Sequence, residues 1–109
     1  MLTQKLPNAA ASVITVTSTA TSLFSLIDTA AGEAANLSNS GLDSCYVVAE
    51  DGDVRVLMDT NTPTASNGFL VKSGSLVLFD KVPLDQMKLI RVGSTDVSVS
   101  LQVGKSVSQ

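Results

Sequence analysis

Residues 96–103, Asp-Val-Ser-Val-Ser-Leu-Gln-Val, alternate polar and apolar side chains over their whole length. Successive side chains of a β-strand point to opposite faces of the sheet, so this pattern places all the apolar residues on one face. The stretch therefore predicts a strand with one buried face and one face toward solvent or a partner. The residues expected to be buried are Val97, Val99, Leu101 and Val103.

Six further segments are rich in β-branched and apolar residues, which favour strands. They lie at residues 12–17, 44–49, 53–58, 68–72, 75–79 and 87–92. Short glycine-containing connections predict three tight hairpins between neighbouring strands. The expected hairpins join 44–49 to 53–58 through Asp51-Gly52, 68–72 to 75–79 through Ser73-Gly74, and 87–92 to 96–103 through Gly93-Ser94-Thr95.

Apolar residues recur at spacings of three and four between residues 23 and 34, which is the period of a helix. A helix is predicted over residues 20–31, with Ser18, Thr19 or Thr21 as its N-cap. Gly32 is placed to end this helix in the left-handed conformation. Residues 36–43 are predicted to form a loop because Asn, Ser, Gly and Asp dominate them.

Seven short strands with mainly short connections predict a mainly β protein, an antiparallel β-sandwich or barrel with one short N-terminal helix closing an end. A chain of 109 residues accommodates one compact domain, expected at residues 12–109. Residues 1–11 are expected to form an N-terminal arm, either frayed or ordered upon binding.

The composition restricts both the core and the partners. Hydrophobic residues make up 44% of the chain and aromatic residues only 4%, so the core must consist mainly of Val, Leu, Ile, Ala and Met. Only 16% of residues are charged, and a weakly charged, Ser- and Thr-rich exterior suits a protein packed against copies of itself or a partner. The net charge is −3 and the basic residues are scattered, which argues against nucleic-acid binding. No apolar stretch is long enough to predict a membrane span.

The chain contains no His, the most common general base near neutral pH and the most common zinc ligand. Cys45 lies in a predicted strand and has no His with which to form a nucleophilic pair, so we expect it to be a small buried hydrophobe. The sequence contains neither a phosphate-binding glycine loop nor a nucleophile elbow. We therefore expect a non-enzymatic protein without catalytic residues, cofactor or metal.

Acidic residues concentrate in Glu50-Asp51-Gly52-Asp53, with Asp59 nearby. A solvated turn is the preferred interpretation, because Asp and Gly favour turns and the spacing lacks the alternating oxygen ligands of a calcium loop. A hydrolase with a pair of catalytic carboxylates is a more distant alternative, which requires the fold to bring Asp59 near Asp80 or Asp85.

Residues 59–68 connect two predicted strands and combine polar residues with a proline. Pro63 restricts its own backbone and drives Thr62 extended, and Asn67-Gly68 tolerates positive φ. We expect a rigid, polar loop exposed at one end of the sandwich, either a contact surface or a simple connection. The candidate contact residues are Thr60, Asn61, Thr62, Pro63, Thr64 and Asn67.

Five short segments of the sequence, in the order in which they occur, are the basis of a resemblance. They are Arg55-Val56-Leu57-Met58-Asp59, Thr62-Pro63-Thr64-Ala65, Asn67-Gly68, Leu89-Ile90-Arg91 and Val99-Ser100-Leu101-Gln102-Val103-Gly104. In this order, the chain over residues 44–104 resembles a group of small bacteriophage proteins encoded among head and structural genes. The resemblance implies a jelly-roll-like β-sandwich with a structural role in the virion, such as capsid decoration or head stabilisation. It implies no catalytic residues.

On this basis we expect a capsid decoration, or cement, protein that stabilises the phage head through protein–protein contacts. Its expected partners are the major capsid protein or another virion protein, together with copies of itself, a trimer being favoured. Its expected location is the virion, after synthesis in the host cytoplasm. Two alternatives stay open: a tail or fibre component that attaches to the host through loops at 36–43 and 59–67, and a small carbohydrate-binding module.

Overall fold

The computed structural model describes residues 3–5, 13–32, 42–58 and 61–106. Within these ranges the chain forms nine strands and one α-helix. The strands are β1 (Thr3–Lys5), β2 (Val13–Val16), β3 (Thr21–Ser22), β4 (Ser44–Ala49), β5 (Val54–Leu57), β6 (Phe69–Val71), β7 (Leu76–Asp80), β8 (Lys88–Arg91) and β9 (Val97–Ser106). Helix α1 is Leu23–Ala31, and a 3-10 turn covers Leu84–Gln86. All seven predicted strands are present, and the short strands β1 and β3 are additional.

The strands form two antiparallel sheets. In the five-stranded sheet, β4 lies between β7 and β9, and the other side of β9 pairs with β2 and, nearer its C-terminal end, with β1. The four-stranded sheet has the order β3-β8-β5-β6. With β1 set aside, the two orders β2-β9-β4-β7 and β3-β8-β5-β6 are those of a jelly roll, an eight-stranded fold of two Greek keys. The predicted mainly β, antiparallel fold is therefore confirmed, and the strand order is consistent with the predicted jelly-roll-like sandwich.

Four antiparallel pairs explain this strand order. β2 pairs with β9, β3 with β8, β4 with β7, and β5 with β6. The chain thus runs out and back as one long double ribbon, and successive pairs of the ribbon alternate between the two sheets. Along the described part of the chain, β5 and β6 are the one case in which consecutive strands pair. The segment that joins them is the turn of the ribbon.

The buried faces of both sheets belong to a single hydrophobic core. On β9 the predicted inward residues are buried, Leu101 at 6% exposure, whereas Gln102 is exposed, which confirms the predicted facing. On β2, Ile14 and Val16 are buried. Among the described residues, Phe79 is the one aromatic side chain in the buried core, which is otherwise aliphatic except for Met87 and Cys45, in agreement with the composition.

Helix α1 begins three residues after its predicted start. Thr21 and Ser22 pair with β8 in extended conformation, so the helix cannot begin before them. The N-cap is Ser22, whose hydroxyl accepts a hydrogen bond from the backbone N–H three residues further on, and the predicted caps Ser18, Thr19 and Thr21 are wrong. Gly32 ends the helix at φ 77°, which confirms the predicted left-handed C-cap.

Two predicted segments lie partly outside the described residues. Of the expected N-terminal arm, residues 1–11, the structure describes β1, which pairs with Gly104–Ser106 of β9. Of the expected loop at 36–43, it describes the last two residues. Leu42 is buried in the core, and the Asp43 N–H donates a hydrogen bond to the Gly104 carbonyl at 3.1 Å.

The three predicted hairpins are wrong. β4 and β5, β6 and β7, and β8 and β9 lie in different sheets, so each short connection crosses from one sheet to the other. Turn-forming residues occur wherever the chain reverses, and they do not reveal whether the next strand pairs with the previous one or faces it across the core. The connections at 50–53, 73–75 and 92–96 are therefore corners of the jelly roll.

Gly52, in the corner at residues 50–53, packs directly on β9. A Cβ atom placed on Gly52 would lie 2.8 Å from Val97 Cγ2. Val97 is only 2% exposed, so its methyl group has little room to retreat. At this position the corner requires glycine for close approach.

We expect Gly52→Ala to lower the free energy of unfolding by about 1–3 kcal/mol, because the added methyl overpacks the contact with Val97. Urea denaturation measures this change. Gly93→Ala is the matched control: Gly93 lies in another corner, and a Cβ there meets no atom within 4 Å. The control should stay within about 0.5 kcal/mol of the unmodified protein. Equal stabilities of the two variants would contradict the packing of Gly52 on β9.

We expect Leu101→Asp to abolish folding, because a carboxylate on the inner face of β9 has no partner among the apolar side chains around it. The cost of burying it is several kcal/mol, against a total stability of about 5–15 kcal/mol for a typical domain. Circular dichroism and thermal denaturation test this, with Gln102→Asp on the exposed face of the same strand as the control. A soluble Leu101→Asp protein that melts cooperatively would show that the facing of β9 is misassigned.

Candidate functional site

The predicted contact loop joins β5 to β6 and so forms the turn of the jelly-roll ribbon. Residues 61–68 of this loop are described, and Thr60 and Asp59 lie outside the described residues. The Thr64 N–H donates to the Asn67 carbonyl at 2.9 Å, and the Asn67 N–H donates back to the Thr64 carbonyl at 3.2 Å. The Ser66 N–H also donates to Thr64 Oγ1 at 3.3 Å. These bonds close residues 64–67 into a tight turn.

Arg55 of β5 fastens this turn to the sheet. Its Nε donates to the Ala65 carbonyl at 3.0 Å, and its Nη1 donates to the Gly68 carbonyl at 2.9 Å. The planar guanidinium thereby spans both sides of the turn with two donors in a fixed geometry. Both backbone carbonyls are thereby bound to a charge on a regular strand.

Two further residues fit the loop closely to β5. Pro63 is buried, so its ring anchors the loop instead of projecting from it. Gly68 has φ 133°, a conformation that side chains rarely adopt, and a Cβ there would lie 3.2 Å from Arg55 Cβ. The predicted rigidity of the loop thus has an identified origin, in which Arg55, Pro63 and Gly68 act together.

The structure brings most of the predicted contact residues to one exposed surface. We call the exposed residues of this turn the contact loop: Asn61, Thr62, Thr64, Ala65, Ser66 and Asn67. Apart from the methyl group of Ala65, their side chains carry hydroxyl or amide groups, and none is charged. Sequence reasoning missed Arg55, because its role depends on the pairing of β5 with β6, and no pattern around residue 55 indicates that pairing.

The acidic residues of the corner at 50–53 bind neighbouring parts of the chain. Asp51 Oδ1 accepts from the Ser98 N–H at 2.8 Å, and Asp53 Oδ1 accepts from the Ser73 N–H at 2.8 Å. The Glu50 carboxylate accepts from the hydroxyl of Ser100 on β9. These three carboxylates therefore tie the corner at 50–53 to β9 and to the corner at 73–75. The sequence had instead predicted a solvated hairpin turn. Within the described ranges, no group of three or more acidic or Cys side chains is placed to hold a metal ion.

Three further residues that the sequence singled out, Cys45, Asp80 and Asp85, lie outside the contact loop. Cys45 is fully buried, and loss of solvation raises the pKa of its thiol to about 12, so the reactive thiolate is suppressed at neutral pH. This confirms the prediction of a buried hydrophobe. Asp80, considered as half of a carboxylate pair, accepts a hydrogen bond from the Ser44 hydroxyl at 2.6 Å. Asp85 is exposed in the 3-10 turn.

Comparison with known proteins identifies no matching family model, no matching curated protein and no matching solved structure. Among the helical residues that are described, none belongs to a helix that is long and apolar enough to cross a membrane.

We expect Arg55→Ala to loosen the contact loop and to lower the free energy of unfolding by about 1–2 kcal/mol, because two hydrogen bonds from a charged donor are lost. Hydrogen exchange of the amides in residues 64–68 should accelerate at least tenfold. Arg55→Lys should recover only part of the protection, since it retains the charge without the planar fork. Lys72→Ala removes an exposed cation beyond β6 and should leave exchange in the loop unchanged. Unaltered exchange in Arg55→Ala would show that the guanidinium does not hold the loop.

Proposed function

We propose that this protein is a non-enzymatic structural component of a bacteriophage virion, a capsid decoration protein that stabilises the head by protein–protein contact. The resemblance over residues 44–104 motivates the virion role. The contact loop is the observation that carries it: a rigid, exposed and uncharged surface fastened by Arg55 to a jelly roll. Such a surface is suited to adhesion, because its polar groups are already fixed in place before a partner arrives.

Preorganisation is what makes a small loop useful for binding. A flexible loop loses conformational entropy when a partner orders it, and this loss subtracts from affinity. In the contact loop the backbone is already bound by the Thr64–Asn67 turn and by Arg55. More of the interaction free energy is then available for holding the partner.

The mechanism we propose is repeated burial of surface. Each contact removes surface from water, and the apolar part of that surface contributes about 25 cal/mol per Å². A modest contact repeated over a shell adds up to a large resistance against internal pressure. The partner we propose is the major capsid protein or another virion protein, contacted by a homo-oligomer of this chain. The location that follows is the assembled virion.

A tail or fibre component that binds a host receptor is the second candidate, because the same exposed loop would serve recognition equally well. The jelly-roll strand order also occurs in lectins, which keeps a carbohydrate-binding module as a weaker third candidate. Sugar recognition usually employs aromatic side chains. None lies in the contact loop, and the nearby Phe69 is engaged edge-to-face with Phe79 at 5.7 Å.

The test is cosedimentation of the purified protein with heads and, separately, with tails of the phage that encodes it, prepared without this protein. We expect binding to heads alone. Thr62→Arg, which places a bulky charge on the contact loop, should weaken head binding at least tenfold. Gln86→Arg, an exposed change on the 3-10 turn, is the matched control and should bind normally. Binding to tails alone would favour the fibre role, and binding to neither particle would refute a virion role.

A further inference from the structure

Strand β7 is an open edge of the five-stranded sheet. On one side it pairs with β4 over all five of its residues, and on the other side no strand of the described chain follows it. The N–H and C=O groups on that free side offer a ladder to another strand. The other edge strands, β1, β2, β3 and β6, have two to four residues, so β7 is the longest edge in the described molecule.

The outward side chains of this edge are apolar. Leu76 is 67% exposed and Leu78 is 39% exposed, whereas Phe79 points inward and is 6% exposed. Proteins usually protect an edge strand with a lysine, a proline or a bulge, and Leu76–Asp80 contains none of these. Its one charged residue, Asp80, is at the very end and accepts a hydrogen bond from the Ser44 hydroxyl. Within the part of the chain that the structure describes, this edge is therefore open to pairing.

We propose that β7 is a self-association surface through which two copies of this chain pair their β7 strands antiparallel about a two-fold axis. The strand is complementary to itself in one register. With Val77 opposite Val77 of the second copy, Leu76 of each copy lies opposite Leu78 of the other. Opposed residues of antiparallel strands point to the same face, so four leucines meet on the outer face of the joined sheets.

The same register keeps like charges apart. The two Asp80 residues lie at opposite ends of the paired strands, six residues apart in register, which is roughly 20 Å at the rise of a strand. That distance exceeds the screening length of about 10 Å at 0.1 M salt.

Pairing at β7 supplies the surface through which copies of the proposed virion protein associate. Only the location of the paired copies, on the virion, rests on the proposed function. An isologous pair differs from the trimer expected from the sequence. The self-complementary register favours the two-fold contact, because a ring of three would have to join β7 to a different edge.

The first test is sedimentation velocity over a range of protein concentrations. A five-residue strand pair supplies only part of the roughly 1,200 Å² that stable interfaces bury, so we expect a dimer with a dissociation constant of about 10–100 µM. Leu78→Lys should raise this constant at least tenfold. Val13→Lys is the matched control, because Val13 is also exposed, at 48%, on the outer face of the same sheet but on β2. The proposal would be overturned if the protein were monomeric at 200 µM, which is about twice the upper limit of the expected dissociation constant. It would also be overturned if the two variants changed the dissociation constant equally.

The second test fixes the register by disulfide crosslinking. A mixture of Leu76→Cys and Leu78→Cys proteins should form a mixed disulfide in preference to either homodimer. In the proposed register, identical positions are offset by two residues, and their Cα atoms are roughly 8 Å apart, too far for a disulfide. The native Cys45 is buried and does not compete. Equal yields of mixed and identical disulfides would refute the register.

The two proposals fail separately. A protein that stays monomeric yet cosediments with heads would overturn the β7 pairing and leave the virion role standing. A dimer that binds no virion particle would do the reverse.

Discussion

The pairing of β9 with β2 on one side and β4 on the other holds the jelly roll together. Val13 lies opposite Ser100, so the two ends of the domain meet within one sheet. β9 is the longest strand, with ten residues, and its inner face supplies four side chains to the core. Without it, β1 and β2 would have no strand to pair with and β4 would become an edge. The fold is therefore closed by pairing between residues far apart in sequence. Bringing these residues together costs loop-closure entropy, and this cost is offset only when all strands of the jelly roll are paired.

The strands and their facing could be predicted because a period of two is a local property. Each residue of β9 shows its environment through its own polarity, whichever strands lie beside it. Strand pairing is not local in this sense. Asp51-Gly52 and Ser73-Gly74 would be equally suitable in a hairpin, and they are corners because the strands on either side of each lie in different sheets. The two-residue strand β3 was missed for a similar reason: Thr21 and Ser22 are extended because β8 lies beside them.

The candidate site likewise has features that follow from local sequence and features that follow from strand pairing. Its exposed polar residues could be predicted from the composition of the loop, and its stiffness in part from Pro63. The restraint by Arg55 could not, because the guanidinium reaches Ala65 and Gly68 only when β6 returns alongside β5, where Arg55 lies opposite Leu70. Pro63 itself proves to be an anchor, since its ring is buried. Residues that create a surface of this kind lie beneath it, on the scaffold, where a pattern of loop residues gives no signal.

The contact loop and the β7 edge are physically connected. The loop leads directly into β6, whose first residue, Phe69, packs edge-to-face on Phe79 of β7 at 5.7 Å between ring centres. A pair of copies joined at β7 therefore carries two contact loops held in one fixed arrangement. Once the first loop is bound, the second loop meets its partner at a high effective concentration. Two weak contacts then act as one strong attachment, provided that the partner sites have the same spacing as the two loops. On the regular shell that we propose as the partner the spacing would repeat, so the symmetry of the proposed pair would combine the modest contacts of a small domain into a strong attachment.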